Sequence, residues 1–234
     1  AEAAQNYTTS GLDYSYGPQK KENRLLTLYA NYNKLVESIK SSFDVTAGYD
    51  YQYWKSTTPL YSEMNTLGEI QKTSKASDER HVLLSYYGRL NYSFNSRYML
   101  TTTVRRDATS RFAKNVRWGT FPSVALGWRV TEESFLKDNK VISTLKVRAS
   151  YGVTGQQDGI GNYNYLPIYT ISQSGAGSLI GDTPTPTYRP KAYVPNLKWE
   201  TTTSWNVGFD FGFLKDRITG SFDYYTRQTK DLIA

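Results

Sequence analysis

Apolar and polar side chains alternate strictly along eight stretches of this chain, each about ten residues long. From Leu197 to Phe211, for example, the odd positions are uncharged and mostly apolar, whereas the even positions are polar. Because successive residues of a β-strand point to opposite faces of its sheet, such a stretch forms a strand with one apolar and one polar face. The chain is therefore predicted to be all-β.

The connections between the predicted strands alternate between short and long. Residues 34–39, 95–97 and 214–216 form short connections, whereas 55–80, 107–118 and 155–195 are long and rich in Gly, Ser, Thr, Pro and Tyr. Outer-membrane β-barrels have this asymmetry, with short periplasmic turns and long outer loops. Residues 131–144 make a longer connection on the turn side, where one helical turn is expected. The strands are predicted at 24–33, 42–53, 82–94, 98–106, 120–130, 145–154, 197–212 and 217–228.

The apolar face of these strands carries no Asp, Glu, Lys or Arg. A shift of one residue would turn Asp44, Arg89 or Arg148 towards lipid, and an Arg at the bilayer midplane costs about 2–4 kcal/mol. The face is also rich in Tyr and Trp, which favour membrane–water boundaries. A mean hydropathy of −0.59 is compatible with this interpretation, because alternation keeps the average polar. We predict a transmembrane antiparallel β-barrel.

The composition argues against several kinds of chemistry. The chain contains no Cys and a single His, His81, so neither a His-based triad nor a His/Cys metal cluster can form within it. We predict no catalytic residue, no metal site and no cofactor. The net charge of +7 comes from scattered Lys and Arg, which does not favour nucleic-acid binding. The carboxylates of the polar face are expected to pair with neighbouring Arg and Lys; they are Asp44, Asp50, Asp210 and Asp223.

The best candidates for ligand contact are aromatic residues in the predicted outer loops. Sugar rings present apolar C–H faces that pack on aromatic rings, while polar neighbours orient the hydroxyl groups. The alternative is that these side chains only pack the loops or contact a partner protein. The candidates are Trp54 and Tyr61 in one loop and Tyr163, Tyr165, Tyr169, Tyr188 and Tyr193 in the longest loop.

A series of motifs follows in fixed order through residues 85–234. They include SYYGRLNY at 85–92, RRDATSRF at 105–112, LKVRASYGVTGQ at 145–156, NLKWETT at 196–202 and DFGFL at 210–214. In these motifs the chain resembles the SusC/RagA-type TonB-dependent transporters of the Bacteroidetes outer membrane. Residues 1–84 fit the architecture but carry little of this signature.

The resemblance implies a plugged barrel of about 22 strands, of which this chain would supply about eight. Residues 1–234 would be part of one TonB-dependent receptor β-barrel domain, with the plug domain, the TonB-contacting segment, the signal and the final strands absent from this chain. The implied function is TonB-dependent import of oligosaccharides or peptides. The implied partners are a SusD-like surface lipoprotein, the TonB complex acting through the plug region, and outer-membrane lipid.

Three alternatives remain open at this point. The chain could be a small self-contained eight-stranded barrel that acts as an anchor or adhesin. It could belong to a TonB-dependent siderophore or vitamin receptor, although the motifs point away from that group. An outer-membrane enzyme is disfavoured by the missing catalytic set.

Overall fold

A computed structural model describes residues 12–14, 19–65, 67–137, 139–171, 177–180, 183–191, 193–194 and 196–233. Eight long strands dominate it, and each corresponds to one predicted stretch. They are β1 (Lys20–Val36), β2 (Ser41–Thr58), β3 (Ser77–Phe94), β4 (Tyr98–Thr109), β5 (Trp118–Arg129), β6 (Ile142–Gln156), β7 (Glu200–Phe213) and β8 (Ile218–Lys230). The prediction of eight strands is confirmed, although several of them extend further than predicted.

The eight strands form one antiparallel sheet in which every strand pairs with its neighbours in sequence. The order runs linearly from β8 to β1, so β1 and β8 are the two edges of the sheet. Long unpaired edges of this kind are templates for further pairing. The open sheet is thus a piece of barrel wall, and it does not favour a self-contained eight-stranded barrel.

The register places the predicted apolar residues on one face across all eight strands. On β2 and β3, Tyr49 lies opposite Tyr86 and Val45 opposite Leu90. Between β6 and β7 the rings of Tyr151 and Trp205 lie 4.5 Å apart. Since one residue of slippage would expose the polar side chains on this face, the apolar pattern fixes the pairing.

The three shortest connections lie at one end of the sheet, together with the connection 130–141, and the other three connections lie at the opposite end. The turn end comprises residues 37–40, 95–97, 130–141 and 214–217, and the loop end comprises 59–76, 110–117 and 157–199. At the turn end, Asn95 and Ser96 have φ of 50° and 54°, the left-handed backbone that a tight hairpin turn requires. The predicted helical turn at this end is the 3-10 helix Val130–Glu132, and another spans Glu37–Ile39.

The loop end carries short strands of its own that the sequence did not predict. Leu12–Tyr14, Tyr61–Asn65 and Ile70–Ser74 form a three-stranded sheet. Tyr169–Ile171 pairs with Tyr188–Pro190, and Gly177–Ile180 pairs with Thr183–Pro186.

The prediction for Leu197 and Trp199 was wrong. They were assigned to the apolar face of the seventh strand, but β7 begins only at Glu200. Trp199 is instead buried, with 7% of its surface exposed, and its Nε1 donates a hydrogen bond to the carbonyl oxygen of Arg117 at 2.9 Å. The alternating pattern begins three residues before the strand does. It therefore did not reveal that Trp199 packs into the loop end.

Among the described residues, no helix has the length and apolar character needed to cross a lipid bilayer.

Candidate functional site at the loop end

The longest loop is anchored to the loop end by an aromatic cluster. Phe112, Phe121 and Trp199 come from three separate segments and bury one another, with Trp199 meeting both phenylalanine rings edge-on at 5.5 and 5.2 Å. A Cβ atom at Gly155 would overlap the Phe121 ring, so glycine lets β6 pass close to the cluster. The cluster fixes both ends of the 157–199 loop relative to the sheet.

Arg111 holds the first part of the same loop. Its Nε donates to Oδ1 of Asn162 at 3.1 Å, and its Nη1 donates to the carbonyl oxygen of Gln157 at 3.2 Å. It also forms an ion pair with Asp158 at 3.3 Å. The guanidinium therefore ties the loop after β4 to the start of the longest loop, and Asn162 is held in one orientation.

A small cavity of about 180 Å³ opens where this anchored segment meets the outer end of β3. The backbone N–H of Arg80 donates to the hydroxyl of Tyr163 at 3.3 Å, and Asn162 Nδ2 donates to Oε2 of Glu79, also at 3.3 Å. The cavity presents one aromatic ring, a carboxylate, an ammonium and two amides. Its polar lining residues are Glu79, Asn162, Tyr163, Asn164 and Lys191.

Trp54 lies beside this cavity along the face of β3. Its indole stacks on the His81 ring, with centroids 4.3 Å apart and planes 14° apart. His81 is two residues from Glu79, so both side chains project from the same face of the strand. The structure thus brings two predicted contact residues, Trp54 and Tyr163, to the outer end of one strand.

Tyr169 and Tyr188 occupy a different surface. Tyr169 lies opposite Pro190 and Ile171 opposite Tyr188 in a two-stranded ribbon, which puts these four side chains on one face. That face is open: 65% of Tyr169 and 62% of Tyr188 are exposed. The ribbon continues from the cavity, since the backbone N–H of Lys191 donates to the carbonyl oxygen of Ile168 at 2.7 Å.

The remaining candidates do not line the cavity. Tyr61 begins the strand Tyr61–Asn65 opposite Ser74. Tyr165 is half-buried, and Tyr193 is exposed. Val194, next to Tyr193, donates its backbone N–H to the carbonyl oxygen of Asn164 at 3.1 Å, which links that segment back to the cavity.

Ion pairs form on the polar face of the sheet, below the loops. Arg105 bonds to Asp107 at 2.9 Å and to Asp50 at 3.3 Å, and Arg148 bonds to Asp210 at 2.9 Å and Asp223 at 3.1 Å. The predicted pairing is confirmed for the three predicted carboxylates among them.

Asp44 is the exception. Its Oδ1 accepts a hydrogen bond from Asn31 Nδ2 at 2.6 Å, and no cation of the described residues pairs with it. An amide thus takes the place of the predicted Arg or Lys partner.

Sequence reasoning missed Glu79, Arg111, Asn162 and Lys191 as members of the site. The first three come together across 83 and 51 residues of sequence separation, which no local pattern reports. Arg111 does lie in the motif RRDATSRF, and Asn162 lies in the Gly-rich connection 155–195. Nothing in the sequence indicated that these two residues are in contact. Among the described residues, no group of three or more His, Asp or Glu side chains could hold a metal ion.

The TonB dependent receptor-like β-barrel family matches residues 2–234. The chain belongs to this family. It is a family of receptors and transporters rather than of enzymes.

The curated relatives of this chain include several TonB-dependent receptors. The chain is 46% identical to the TonB-dependent receptor SusC of Bacteroides thetaiotaomicron over 218 residues, covering 87% of this chain and 21% of SusC. It is 40% identical to the TonB-dependent receptor P3 of Formosa agariphila, covering 90% of this chain and 22% of that protein. The chain therefore spans about a fifth of the length of these receptors.

Solved receptor structures share the fold. A structure of the RagAB peptide transporter superposes with a TM-score of 0.77 and 22% identity, covering 94% of this chain and 25% of that chain. The RagAB peptide importer in its open-open state superposes with the same TM-score at 23% identity, covering 93% and 24%. The predicted SusC/RagA resemblance and the assignment to one segment of a larger transmembrane barrel are confirmed.

Proposed function

We propose that this chain is wall and outer-loop structure of an outer-membrane importer that takes up oligosaccharides in a TonB-dependent manner. The cavity around Tyr163 is the observation that carries the proposal. It combines an aromatic ring with amides, a carboxylate and an ammonium, which is the set that packs against a sugar ring and orients its hydroxyl groups. The 46% identity to SusC supports the same class of transport.

The dimensions of the sheet support a wall that rises well above a membrane. At about 3.3 Å per residue and a strand tilt of about 40°, a strand of 18 residues such as β2 rises roughly 45 Å, about 15 Å more than the hydrocarbon thickness of a bilayer. In the proposal, the part of the wall outside the lipid lies at the loop end, where the cavity and the ribbon are. Ligand capture would then occur above the lipid, on the outer side of the cell.

The two loop surfaces suggest two roles. In the proposal, Tyr163 and Trp54 contact the ligand, together with Tyr61 and Tyr165 nearby in the loops. Tyr169, Tyr188 and Tyr193 form the more open surface, which suits a SusD-like surface lipoprotein closing over the ligand. The TonB complex would act through a plug region, with the whole of residues 1–234 belonging to one barrel domain.

A peptide ligand is the alternative that a specific observation favours. Glu79 and Lys191 present opposite charges to the same cavity without forming an ion pair. A peptide could engage both charges, and the RagAB structures are those of a peptide transporter. The sugar is preferred because two amide side chains, Asn162 and Asn164, also face the cavity.

The test is uptake by cells that carry the complete receptor with Tyr163→Ala. Labelled glucan oligosaccharides and a defined mixture of short peptides serve as probes, each with and without a functional TonB. We expect TonB-dependent glycan uptake in the wild type and about tenfold less glycan uptake in the variant at subsaturating glycan, because an aromatic contact of this kind contributes up to about 1.4 kcal/mol beyond its buried area.

Tyr163→Phe is the matched control, because it keeps the ring and removes only the hydroxyl that Arg80 contacts. It should bind glycan within about threefold of the wild type. Uptake of peptides but not glycans would replace the proposal by its alternative. Unchanged uptake of both probes in Tyr163→Ala would remove the cavity from the mechanism.

A further inference from the structure

A groove of about 410 Å³ lies on the apolar face of the sheet, near the turn end of β4, β5 and β6. The register explains it. Leu126 lies opposite Ala149, and Trp128 lies opposite Val147. The small side chain of Ala149 therefore leaves a depression beside the larger side chains of Leu126 and Trp128. Ala149 is half-buried in this depression, whereas Ala47, on the same face of β2, is exposed.

Two aromatic residues of the groove are oriented by a carboxylate at the turn end. Glu133 accepts hydrogen bonds from the Tyr98 hydroxyl at 2.5 Å and from Trp128 Nε1 at 3.1 Å. Tyr98 also stacks on Trp128, with ring centroids 6.5 Å apart. Two lining residues of the groove thus connect it directly to a charged site at the membrane boundary.

Two cations at this boundary have side-chain N–H groups that bond to no described residue. Arg97 uses one nitrogen, Nη1, for its ion pair with Glu133 at 3.2 Å, and its other side-chain N–H groups have no partner among the described residues. Lys137 lies in the same turn, since its backbone N–H donates to the carbonyl oxygen of Glu133 at 2.9 Å. Its ammonium is exposed and makes no ion pair with any described residue. Both cations therefore have N–H groups available to a phosphate.

We infer that the groove and this boundary site together bind one glycerophospholipid of the membrane. One acyl chain occupies the groove between Trp128 and Ala149, and the phosphate bonds to Arg97 and Lys137. The inference rests on the outer-membrane placement proposed above but not on import. Lipid tails are as apolar as leucine, so the groove gains nothing from the hydrophobic effect inside a bilayer. Retention depends on the fit of the chain and on the charge of the phosphate.

The chain-binding half is tested by filling the groove with Ala149→Phe. The complete receptor is extracted from membranes in mild detergent, and the phospholipid that stays bound is counted by native mass spectrometry. We expect a retained phospholipid on the wild type and several-fold less on the variant. Ala47→Phe is the matched control, because it makes the same change on the same face away from the groove, and it should retain lipid like the wild type.

The headgroup half is tested by adding lipids to delipidated receptor in micelles of dodecyl maltoside, which has no phosphate. Dioleoylphosphatidylglycerol and dioleoylglycerol carry the same chains but differ in the phosphate. Lys137→Gln should weaken retention of the phospholipid about fivefold, the usual effect of one cation near a membrane surface, and leave dioleoylglycerol unchanged. Equal losses of the two lipids would overturn the assignment of the phosphate to this site.

Lipid retention by Ala149→Phe equal to that of wild type would overturn the groove assignment. The assays on detergent-solubilised receptor do not depend on where the receptor resides in the cell or on what it imports. A receptor that fails to import either probe but still loses lipid in Ala149→Phe would therefore contradict the proposed function alone. Unchanged import together with unchanged lipid retention in Ala149→Phe would contradict only the lipid site.

Discussion

The loop end and the turn end of the sheet both concentrate aromatic side chains, but they hold them in different ways. At the loop end, Phe112 and Trp199 are 0% and 7% exposed and pack on each other with Phe121. At the turn end, Tyr98 and Trp128 remain 43% and 38% exposed and are oriented by hydrogen bonds to Glu133. One set is anchored by apolar burial, the other by a carboxylate.

The difference follows from what each end has to do. The loops at one end are long, and only contacts between distant segments can fix them, because backbone pairing of the eight strands has ended there. Three of the four turns at the other end have only three or four residues and are already constrained by the strands they join. Their aromatic rings stay on the outer surface, where amphipathic rings suit a membrane boundary. Burial at the loop end and polar anchoring at the turn end should respond differently to mutation and to pH.

The largest expected effect is the loss of the loop-end anchor in Trp199→Ala. Removing a buried Trp side chain costs about 3–5 kcal/mol. Hydrogen exchange in the complete receptor should therefore show the backbone amides around residues 109–117 and 197–200 opening with a free energy lower by about that amount.

Two further variants separate burial from aromatic content. Trp199→Phe keeps most of the packing and loses the hydrogen bond to Arg117, so it should cost about 1–2 kcal/mol. Trp205→Ala removes a Trp from the apolar face, where 56% of the side chain is exposed, and should leave the exchange of the loop-end amides unchanged. Equal exchange in Trp199→Ala and wild type would show that the 157–199 loop is not held by this cluster.

A smaller effect is expected from crowding the same cluster with Gly155→Ala. The new Cβ would overlap the Phe121 ring, and overpacking of this kind costs about 1–3 kcal/mol. Gly88→Ala is the matched control, because a Cβ at that position of β3 would meet no atom within 4 Å. It should be neutral, or stabilising by up to about 1 kcal/mol. Guanidinium unfolding of both variants distinguishes the two outcomes, and a stabilised Gly155→Ala would contradict the close approach of Phe121.

The same contrast explains what could be predicted from the sequence. The wall was predictable because a period of two, with no charge on one face, fixes both the strands and their register. The turn at 95–97 was predictable because it joins two strands with clear patterns. These are local signals, each readable within about ten residues.

The loop end gave no such signal. Trp199 continues the alternation of β7 in sequence although it precedes the strand, and so the pattern assigned it to the wrong surface. The contact of Tyr163 with Arg80 joins residues 83 positions apart. The residue types were sufficient to mark the loop aromatics as candidates for contact. The residue types alone could not distinguish a buried residue that anchors a loop from an exposed one, because burial depends on which distant segments pack together.

The smallest expected effect concerns pH at the turn end. Hydrogen bonds from Tyr98 and Trp128, together with the nearby Arg97 cation, hold the pKa of Glu133 below its usual range. A carboxyl whose folded pKa is lowered stabilises the fold above its unfolded pKa, and this contribution is lost as the pH falls through the folded pKa. The melting temperature of Glu133→Gln should therefore lie below that of wild type at pH 7, and the gap should narrow at about pH 3.

Glu132→Gln, an exposed neighbour, controls for loss of charge in the same 3-10 turn and should show no such gap. A gap of constant size for Glu133→Gln would mean that the hydrogen bonds alone, and not the charge, orient these rings. The loop-end variants carry no titrating group in their cluster, so their destabilisation should not vary with pH over the same range.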